Sequence, residues 1–520
     1  MTQWWQSGTI YQVYPRSFQD SDGDGVGDLA GIAARLDHLV MLGVDALWIS
    51  PIFTSPMADF GYDVADYCDI DPRFGTLADF DVLLAAAHAR GLKLLLDFVP
   101  NHSSDQHRWF LESRGARDNP RRDWYIWRDP APDGGPPNNW QSYFGGSAWT
   151  FDATTGQYYL HLFLKEQPDL NWRNPLVRDA MLAAMRFWFD RGVDGFRLDV
   201  LWLAIKHADL LDNPPNPAWR DGMQDIDRLL PQHSGDQPEI TEVVTAMRAL
   251  ADEYDARVLI GEIYLPYDRL VTYYGPEGRG VHLPFNFELL QTDWRAEAIG
   301  RLITEYEAAL PAGAWPNWVL GNHDKPRIAT RVGAAQARVA AVLLLTLRGT
   351  PTLYYGDELG VADQPIPLAN VRDPQALREP GVAFNRDEVR TPMPWNDSAG
   401  GGFTTGEPWL PLNADWRTRN VAVQAADANS MLALHRDLLA LRRKQAALAI
   451  GAIRVLRASD GVLVYERAQD DETIVVALNL TDGEQAVDLP EGETLLLSPP
   501  GTTRGATLAP DQALVIRILP

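Results

Sequence analysis

The chain has 520 residues, enough for several domains or one large barrel with additions, and its 46% hydrophobic fraction allows a sizeable core. A net charge of −24 repels phosphate backbones and argues against nucleic acid as a partner. The single cysteine, Cys68, excludes an intrachain disulfide and a cysteine-rich metal site.

The opening Met-Thr-Gln-Trp-Trp-Gln has neither a basic stretch nor a long apolar one, so no signal peptide is expected. The longest apolar stretch, Val339–Leu347, is too short to span a bilayer. A cytoplasmic monomer or homodimer with no membrane partner is therefore expected. The 18 tryptophans offer flat faces on which sugars can pack, although most should be core or loop anchors.

Short β-branched or aromatic runs alternate with helical patterns. The strand candidates are Ile10–Tyr14, Ala46–Ser50, Lys93–Pro100, Gly195–Val200, Val258–Tyr264, Trp315–Asp324 and Thr350–Gly356, with Pro284–Leu290 as an eighth. Helices are predicted over Leu29–Leu42, Leu77–Arg90, Pro175–Arg191, Glu242–Tyr254, Ala334–Leu347 and Asn429–Lys444. Eight such units predict an α/β fold, a (β/α)8 TIM barrel. The barrel is expected over 1–100 and 173–445. The Pro-, Gly- and Trp-rich stretch 101–172 reads as an inserted subdomain after strand 3. The alternating runs over 446–520 read as a C-terminal antiparallel β-sandwich.

A barrel places its chemistry at the carboxyl ends of its strands. Strand 4 ends in Gly-Phe-Arg-Leu-Asp, putting Arg197 and Asp199 on one face, where the guanidinium would keep the carboxylate ionised. Strand 5 ends its apolar run at Glu262, a setting that raises a carboxyl pKa as a general acid requires. Strand 7 ends in Asn-His-Asp, so His323 can donate to sugar hydroxyls and Asp324 adds a third carboxylate. Retaining glycosidases use two carboxyl groups about 5 Å apart across the scissile bond. A structural Arg–Asp pair, a salt-bridged Glu and a core His are the alternatives, each weakened by convergence of three strand ends. No Gly-rich phosphate loop precedes a helix.

"DFVPNHSS", "GFRLDV", "IGEIY" and "VLGNHD" resemble, in order, the four signature regions of the α-amylase superfamily (glycoside hydrolase family 13). The likeness extends to the opening "IYQVYPRSFQDSDGDGVGDLAGI". It implies Asp199 as nucleophile, Glu262 as acid/base and Asp324 as transition-state stabiliser. Tyr62, Asp63, His102, Arg197 and His323 stand at the matching sugar-binding positions.

"RTPMPW" is similar to the oligo-1,6-glucosidase and α-glucosidase group, whose exo-acting members close the pocket with an Asp–Arg pair. Here that implies Asp63 with Arg386, or with Arg390. Phe144 and Phe163 are candidate aromatic walls. Substrates are then short α-glucosides, with transglucosylation accompanying hydrolysis. Val200, after the nucleophile position, matches α-1,6 enzymes. The following Leu201-Trp202-Leu203 and the insert "LLDNPPNPAW" look more like α-glucosidases acting on maltose-type substrates. α-1,4 activity is the preferred expectation; oligo-1,6-glucosidase and sucrose-active isomerase or transglucosidase are the alternatives.

The loop Asp20–Asp28 carries oxygens at alternate positions with turn glycines, which suits a hard cation. An EF-hand would need Glu where Gly31 stands. The resemblance implies instead one structural Ca²⁺ (or Mg²⁺) on Asp20, Asp22, Asp24, Asp28 and the Val26 carbonyl, and no catalytic cofactor. A metal-free Asx-turn loop is the alternative. A second ion near Asn101 finds no clear support.

Overall fold

The computed structural model describes residues 2–502 and 504–519. Eight parallel strands close into a barrel: β1 (Ile10–Val13), β2 (Ala46–Ile49), β3 (Lys93–Phe98), β4 (Gly195–Leu198), β5 (Val258–Ile263), β6 (Leu283–Asn286), β7 (Asn317–Val319) and β8 (Thr350–Tyr354). They neighbour one another in sequence order, and β8 closes on β1 through Ile10 opposite Thr352. Helices such as Leu77–Ala89, Pro175–Arg191 and Ile240–Ala251 form the outer ring, capped where the sequence offers caps. Thr76 and Asp79 make a capping box, and Asn174 precedes Pro175 at the first helical position.

The side-chain period of two explains where the site lies. Inward residues near the amino ends are apolar: Ile10, Ala46, Leu95, Val258, Ile260 and Leu283 pack together inside the barrel. Two residues further on, the same faces present Gln12, Trp48, Asp97 and Glu262. All are buried. Register places Asp97 beside Arg197 on β4. The barrel core thus changes from apolar to charged at its carboxyl end.

Three expectations change. The helix over 29–42 is two helices, Leu29–Ala34 and Leu36–Leu42, with Arg35 outside helical geometry. Arg35 is held elsewhere, donating to Gln19 Oε1 at 2.6 Å and to the Gly402 carbonyl at 3.2 Å. The sixth strand stops at Asn286, whose Oδ1 accepts the Glu288 N–H and turns the chain into the helix Glu288–Gln291. The strand predicted to reach Asp324 ends at Val319, and the remaining residues form the turn carrying His323 and Asp324.

Between β3 and the helix Pro175–Arg191 lie the helix Arg108–Gly115 and a three-stranded sheet of Trp127–Arg128, Gln157–Leu160 and Trp149–Asp152. After the helix Met431–Lys444, five antiparallel strands run from Ala452 to Ile518 and face the two-stranded ladder of Gln485–Ala486 and Thr507–Leu508. Val462, Val464, Val475, Leu508, Leu514 and Ile516 fill the space between these two sheets. The helix Ile328–Thr346 breaks at Gly333 (φ +81°), so its long arm starts at Ala334 as predicted; taken whole it is long and apolar enough to cross a membrane by length and composition. It is mostly buried here, packed against the C-terminal sheet and the helix Met431–Lys444.

Candidate active site

A cavity of about 360 Å³ opens at the carboxyl end of the barrel. Its walls come from the loop after β2 (Asp59, Tyr62), the segment after β3 (His102, Phe144, Phe163, Gln167) and the loop after β4 (Asp199, Val200, Trp202, Leu203, Gln224, Ile226, Asp227, Pro231). Glu262, Tyr264, Asp324 and Lys325 add strand-end groups, and Gln375 and Arg386 come from the loop after β8.

Arg197 lies under the floor. Its Nη1 donates to Asp97 Oδ1 at 2.9 Å and to Asp199 Oδ1 at 2.7 Å, and its Nη2 is 2.7 Å from Glu262 Oε1. Asp199 and Glu262 thus sit side by side on the two terminal nitrogens of one guanidinium. Burial raises both carboxyl pKa values against the opposing pull of Arg197. Like charges so close cannot both ionise readily, so the pair holds one proton above the usual carboxylate range. Asp97 follows the same pattern, pushed up to about 7 by burial.

Val200 has φ +34°, a left-handed conformation that a β-branched residue avoids. That geometry turns its N–H onto Glu262 Oε2 at 2.7 Å. Strain at this point fixes one Glu262 oxygen and leaves the other with Arg197.

Asp324 differs from the pair. Burial pushes its pKa up, but His323, Arg390 and Arg386 outweigh burial and hold the carboxyl below the usual range. Arg390 Nη2 donates to its Oδ1 at 2.8 Å, and Arg386 Nη1 approaches the same oxygen at 3.4 Å. His323 is kept neutral by burial, its pKa pushed down to about 3. Its ring nitrogens meet Gln12 Nε2 at 2.8 Å and the Tyr62 hydroxyl at 2.6 Å. Burial likewise lowers His102 to about 3, beside Gln167 Nε2 at 3.1 Å.

The expected Asp63–Arg386 pair does not form. Asp63 is fully buried and accepts the N–H groups of Ala58 and Asp59 at 2.8 and 3.0 Å, which folds the loop beneath the cavity. Asp59 takes its place in the wall: Arg386 Nη2 donates to Asp59 Oδ1 at 2.8 Å. Arg390 does not replace Arg386 in that pair, being held by Asp324 and the His323 carbonyl. Asp59 was readable four residues before Asp63, but the sequence has no feature that separates a turn-capping Asp from a lining one.

Phe144 and Phe163 do line the cavity, edge to face at 5.9 Å, with the Arg386 guanidinium 5.0 Å from the Phe144 ring. Arg197 and His323 act from below the lining. Sequence reasoning missed Asp59, Gln167, Asp373 and Lys325. Asp373 Oδ1 accepts both Nε and Nη2 of Arg386, at 3.0 and 2.7 Å. Beside Asn101, Lys206 Nζ donates to Asn101 Oδ1 at 2.7 Å and pairs with Asp169 at 2.5 Å, so a buried ammonium supplies the positive charge there.

In the N-terminal loop, carboxylate oxygens of Asp20, Asp22 and Asp28 lie within 4.8 Å of one another. Loop N–H groups orient them: Asp20 accepts from Asp22, Gly23 and Gly25, and Asp28 from Ser21 and Gly31. No Lys or Arg among the described residues pairs with these three. Three hard oxygen donors without a protein counter-charge fit a Ca²⁺ or Mg²⁺ ion. Asp24 lies outside that trio, its Oδ1 accepting the Val26 N–H at 2.7 Å.

Residues 12–451 match the alpha amylase catalytic domain, and residues 451–495 match the alpha-amylase C-terminal domain. A probable alpha-glucosidase of Rhizobium meliloti (strain 1021) is 43% identical over 502 residues, spanning 94% of this chain and 91% of the relative. The oligo-1,6-glucosidase of Parageobacillus thermoglucosidasius is 37% identical over 527 residues, spanning 94% and 92%. The crystal structure of an alpha-glucosyl transfer enzyme, XgtA, superposes with a TM-score of 0.95 at 42% identity, covering 100% of both chains. The chain is a glycoside hydrolase and belongs to the α-amylase family, within its α-glucosidase group.

Proposed function

We propose that this enzyme is a retaining, exo-acting α-glucosidase that releases glucose from the non-reducing end of short, maltose-type α-glucosides and also transfers it. The observation that carries this is the Asp199–Glu262 pair on one guanidinium at the floor of a closed-ended cavity. Two carboxyls held on the two nitrogens of one guanidinium suit the short separation of a retaining enzyme better than the wider one that admits the water of an inverting enzyme. In the proposed reaction Asp199 attacks the anomeric carbon while Glu262 gives its proton to the departing oxygen. Glu262 then takes a proton from water, or from another sugar's hydroxyl, which attacks the glucosyl–Asp199 bond. Asp324 and His102 hold hydroxyls of the glucosyl ring, and His323, its two ring nitrogens taken by Gln12 and Tyr62, positions Tyr62 from beneath. The Asp59–Arg386–Asp373 cluster ends the cavity, which supports removal of one terminal unit.

Val200 in the wall favours α-1,6 linkages as the second reading; the long loop after it favours α-1,4. Comparing kcat/KM on maltose and isomaltose, with product analysis on sucrose, separates the two. Maltose is expected to lead. A clear preference for isomaltose, or isomerised sucrose as the main product, overturns the linkage assignment. Asp199→Ala is expected to lower kcat by about four orders of magnitude or more while the fold persists. An unchanged rate removes Asp199 as nucleophile.

Asp59→Asn should lower kcat/KM about 100-fold, because it leaves Arg386 buried with a partner missing. Asp63→Asn should act mainly on thermal stability, since Asp63 holds its own loop together and does not line the cavity. The reverse order of effects returns Asp63 to the pocket.

The kcat/KM profile should be bell-shaped, since one carboxyl must be ionised and one protonated. Its alkaline limb reports loss of the shared proton. Burial raises that step, so the limb should lie above the ordinary carboxylate range and not near pH 4.5. A rate already falling at pH 5 would contradict it.

Asp20, Asp22 and Asp28, with Asp24 and the Val26 carbonyl, would hold one Ca²⁺ or Mg²⁺ that neutralises the loop without entering the reaction. Adding Ca²⁺ to chelator-treated enzyme should raise the Tm, and Asp20→Asn should abolish that rise. Equal Tm values with and without the ion refute the site.

A further inference from the structure

The cavity has two differently built halves. Asp59, His102, Gln167, Asp324 and Arg386 make the inner end, where hydrogen bonds and ion pairs lock every group. The rest of the lining must then meet the leaving group, because it begins at Val200, whose N–H holds the acid/base Glu262. That outer half is Trp202, Leu203, Gln224, Ile226, Asp227 and Pro231, with Lys325 opposite. Its segment from 213 to 236 is mostly irregular: the bridge of Pro215 with Leu229 closes its base, with the Asn216 N–H on the Arg228 carbonyl at 2.8 Å and the Leu230 N–H on the Pro214 carbonyl at 2.9 Å, and Gln224–Asp227, with one short 3₁₀ turn at Asp225–Arg228, lies towards its tip.

One residue outside the lining ties that tip to the other wall. Glu379 Oε1 accepts the Asp225 N–H at 3.0 Å, and its Oε2 accepts Gln224 Nε2 at 3.1 Å. The aliphatic stem of Glu379 lies on the opposite wall: a Cβ added at Gly145 would come within 2.8 Å of its Cγ. Gly145 has φ +79°, and the absence of a side chain there gives Glu379 its path. The neighbouring Arg378 donates to the carbonyls of Phe144 and Gly145 at 2.8 and 3.0 Å, and Gln375 donates to the Tyr143 carbonyl at 3.2 Å. Asp373, at the amino end of the same short helix, grips Arg386. The segment Asp373–Glu379 therefore ties the inner clamp, the Phe144 wall and the Gln224–Asp227 wall together across the mouth.

We infer that Glu379 is a specificity-determining clasp that closes the leaving-group end of the cavity behind a single unit and so restricts the enzyme to short α-glucosides. This rests on the α-glucosidase reading above. Glu379 touches no reacting atom and acts by positioning Gln224 and Asp225. Without it, the Gln224–Asp227 tip loses its tie to the other wall and swings outward on its base to admit a longer chain.

The test measures kcat/KM across the maltose, maltotriose and maltotetraose series for wild type, Glu379→Ala, Glu379→Gln and Arg378→Ala. Wild type should prefer maltose. Glu379→Ala should raise the maltotriose-to-maltose ratio at least about tenfold, chiefly through KM. Glu379→Gln, which still accepts the Asp225 N–H, should stay near wild type. Arg378→Ala, which frees the other wall, should move in the direction of Glu379→Ala. Inhibition by glucose should be unchanged, since the inner end is untouched. An active wild type whose ratio does not move in Glu379→Ala overturns the clasp alone, as does a wild type with no preference for the disaccharide. A wild type inactive on every α-glucoside overturns the glucosidase reading and the clasp with it.

Discussion

Arg197 is the group on which the cavity floor depends. Three carboxyls, Asp97, Asp199 and Glu262, surround it where almost no water reaches. Each would rather be protonated there, because burial penalises the charged form. One guanidinium cannot neutralise three carboxylates, yet its planar fork can touch all of them at once. The result is a cluster poised between full ionisation and full protonation. That intermediate state is what acid and nucleophile in one site require. Removing Arg197 would leave the three with only one another, a far costlier arrangement than any single surface pair.

The barrel makes this cluster cheaply. The same alternation that packs Ile10, Leu95 and Val258 inside brings Gln12, Asp97 and Glu262 to the last inward layer. Asp199 and Asp324 follow one and five residues after their strands: the Asp199 N–H is held by the Phe98 carbonyl of the neighbouring strand at 2.9 Å, and the Asp324 N–H by Asn322 Oδ1 in its own turn at 2.9 Å. Asp324 is paired instead with Arg390 and Arg386, so it stays ionised where the Asp199–Glu262 pair keeps a proton. Two guanidinium systems thus set two protonation states within one cavity.

Strand order, the barrel and the three strand-end carboxylates were legible because they follow from periodicity and from the ends of apolar runs. Groups placed by loop-to-loop contact were not. Asp59 and Asp63 differ only in which one the loop spends on its own N–H groups, a choice made when Arg386 arrives from more than 300 residues away. Arg35 sits mid-pattern in a helix, yet bonds to Gln19 and Gly402 take it out. Asp373, Glu379 and Lys206 lie in stretches without any period, and their partners belong to other loops. Sequence spacing carries no record of such meetings.

This division has a physical consequence. Hydrogen-bond ladders and a packed interior fix the floor, and shifting one strand end there disturbs its neighbours on both sides. The mouth is held by individual side-chain bonds, each worth about 1 kcal/mol net. Segments 143–146, 224–227 and 374–379 can each change without moving Arg197 or its carboxyls, because the bonds that join them run from loop to loop and none reaches Arg197. Chemistry therefore belongs to the strands, and the choice of what departs with the leaving oxygen belongs to the loops. A cavity built this way can keep one protonation scheme while its outer half adapts to different partners for the same glucosyl group.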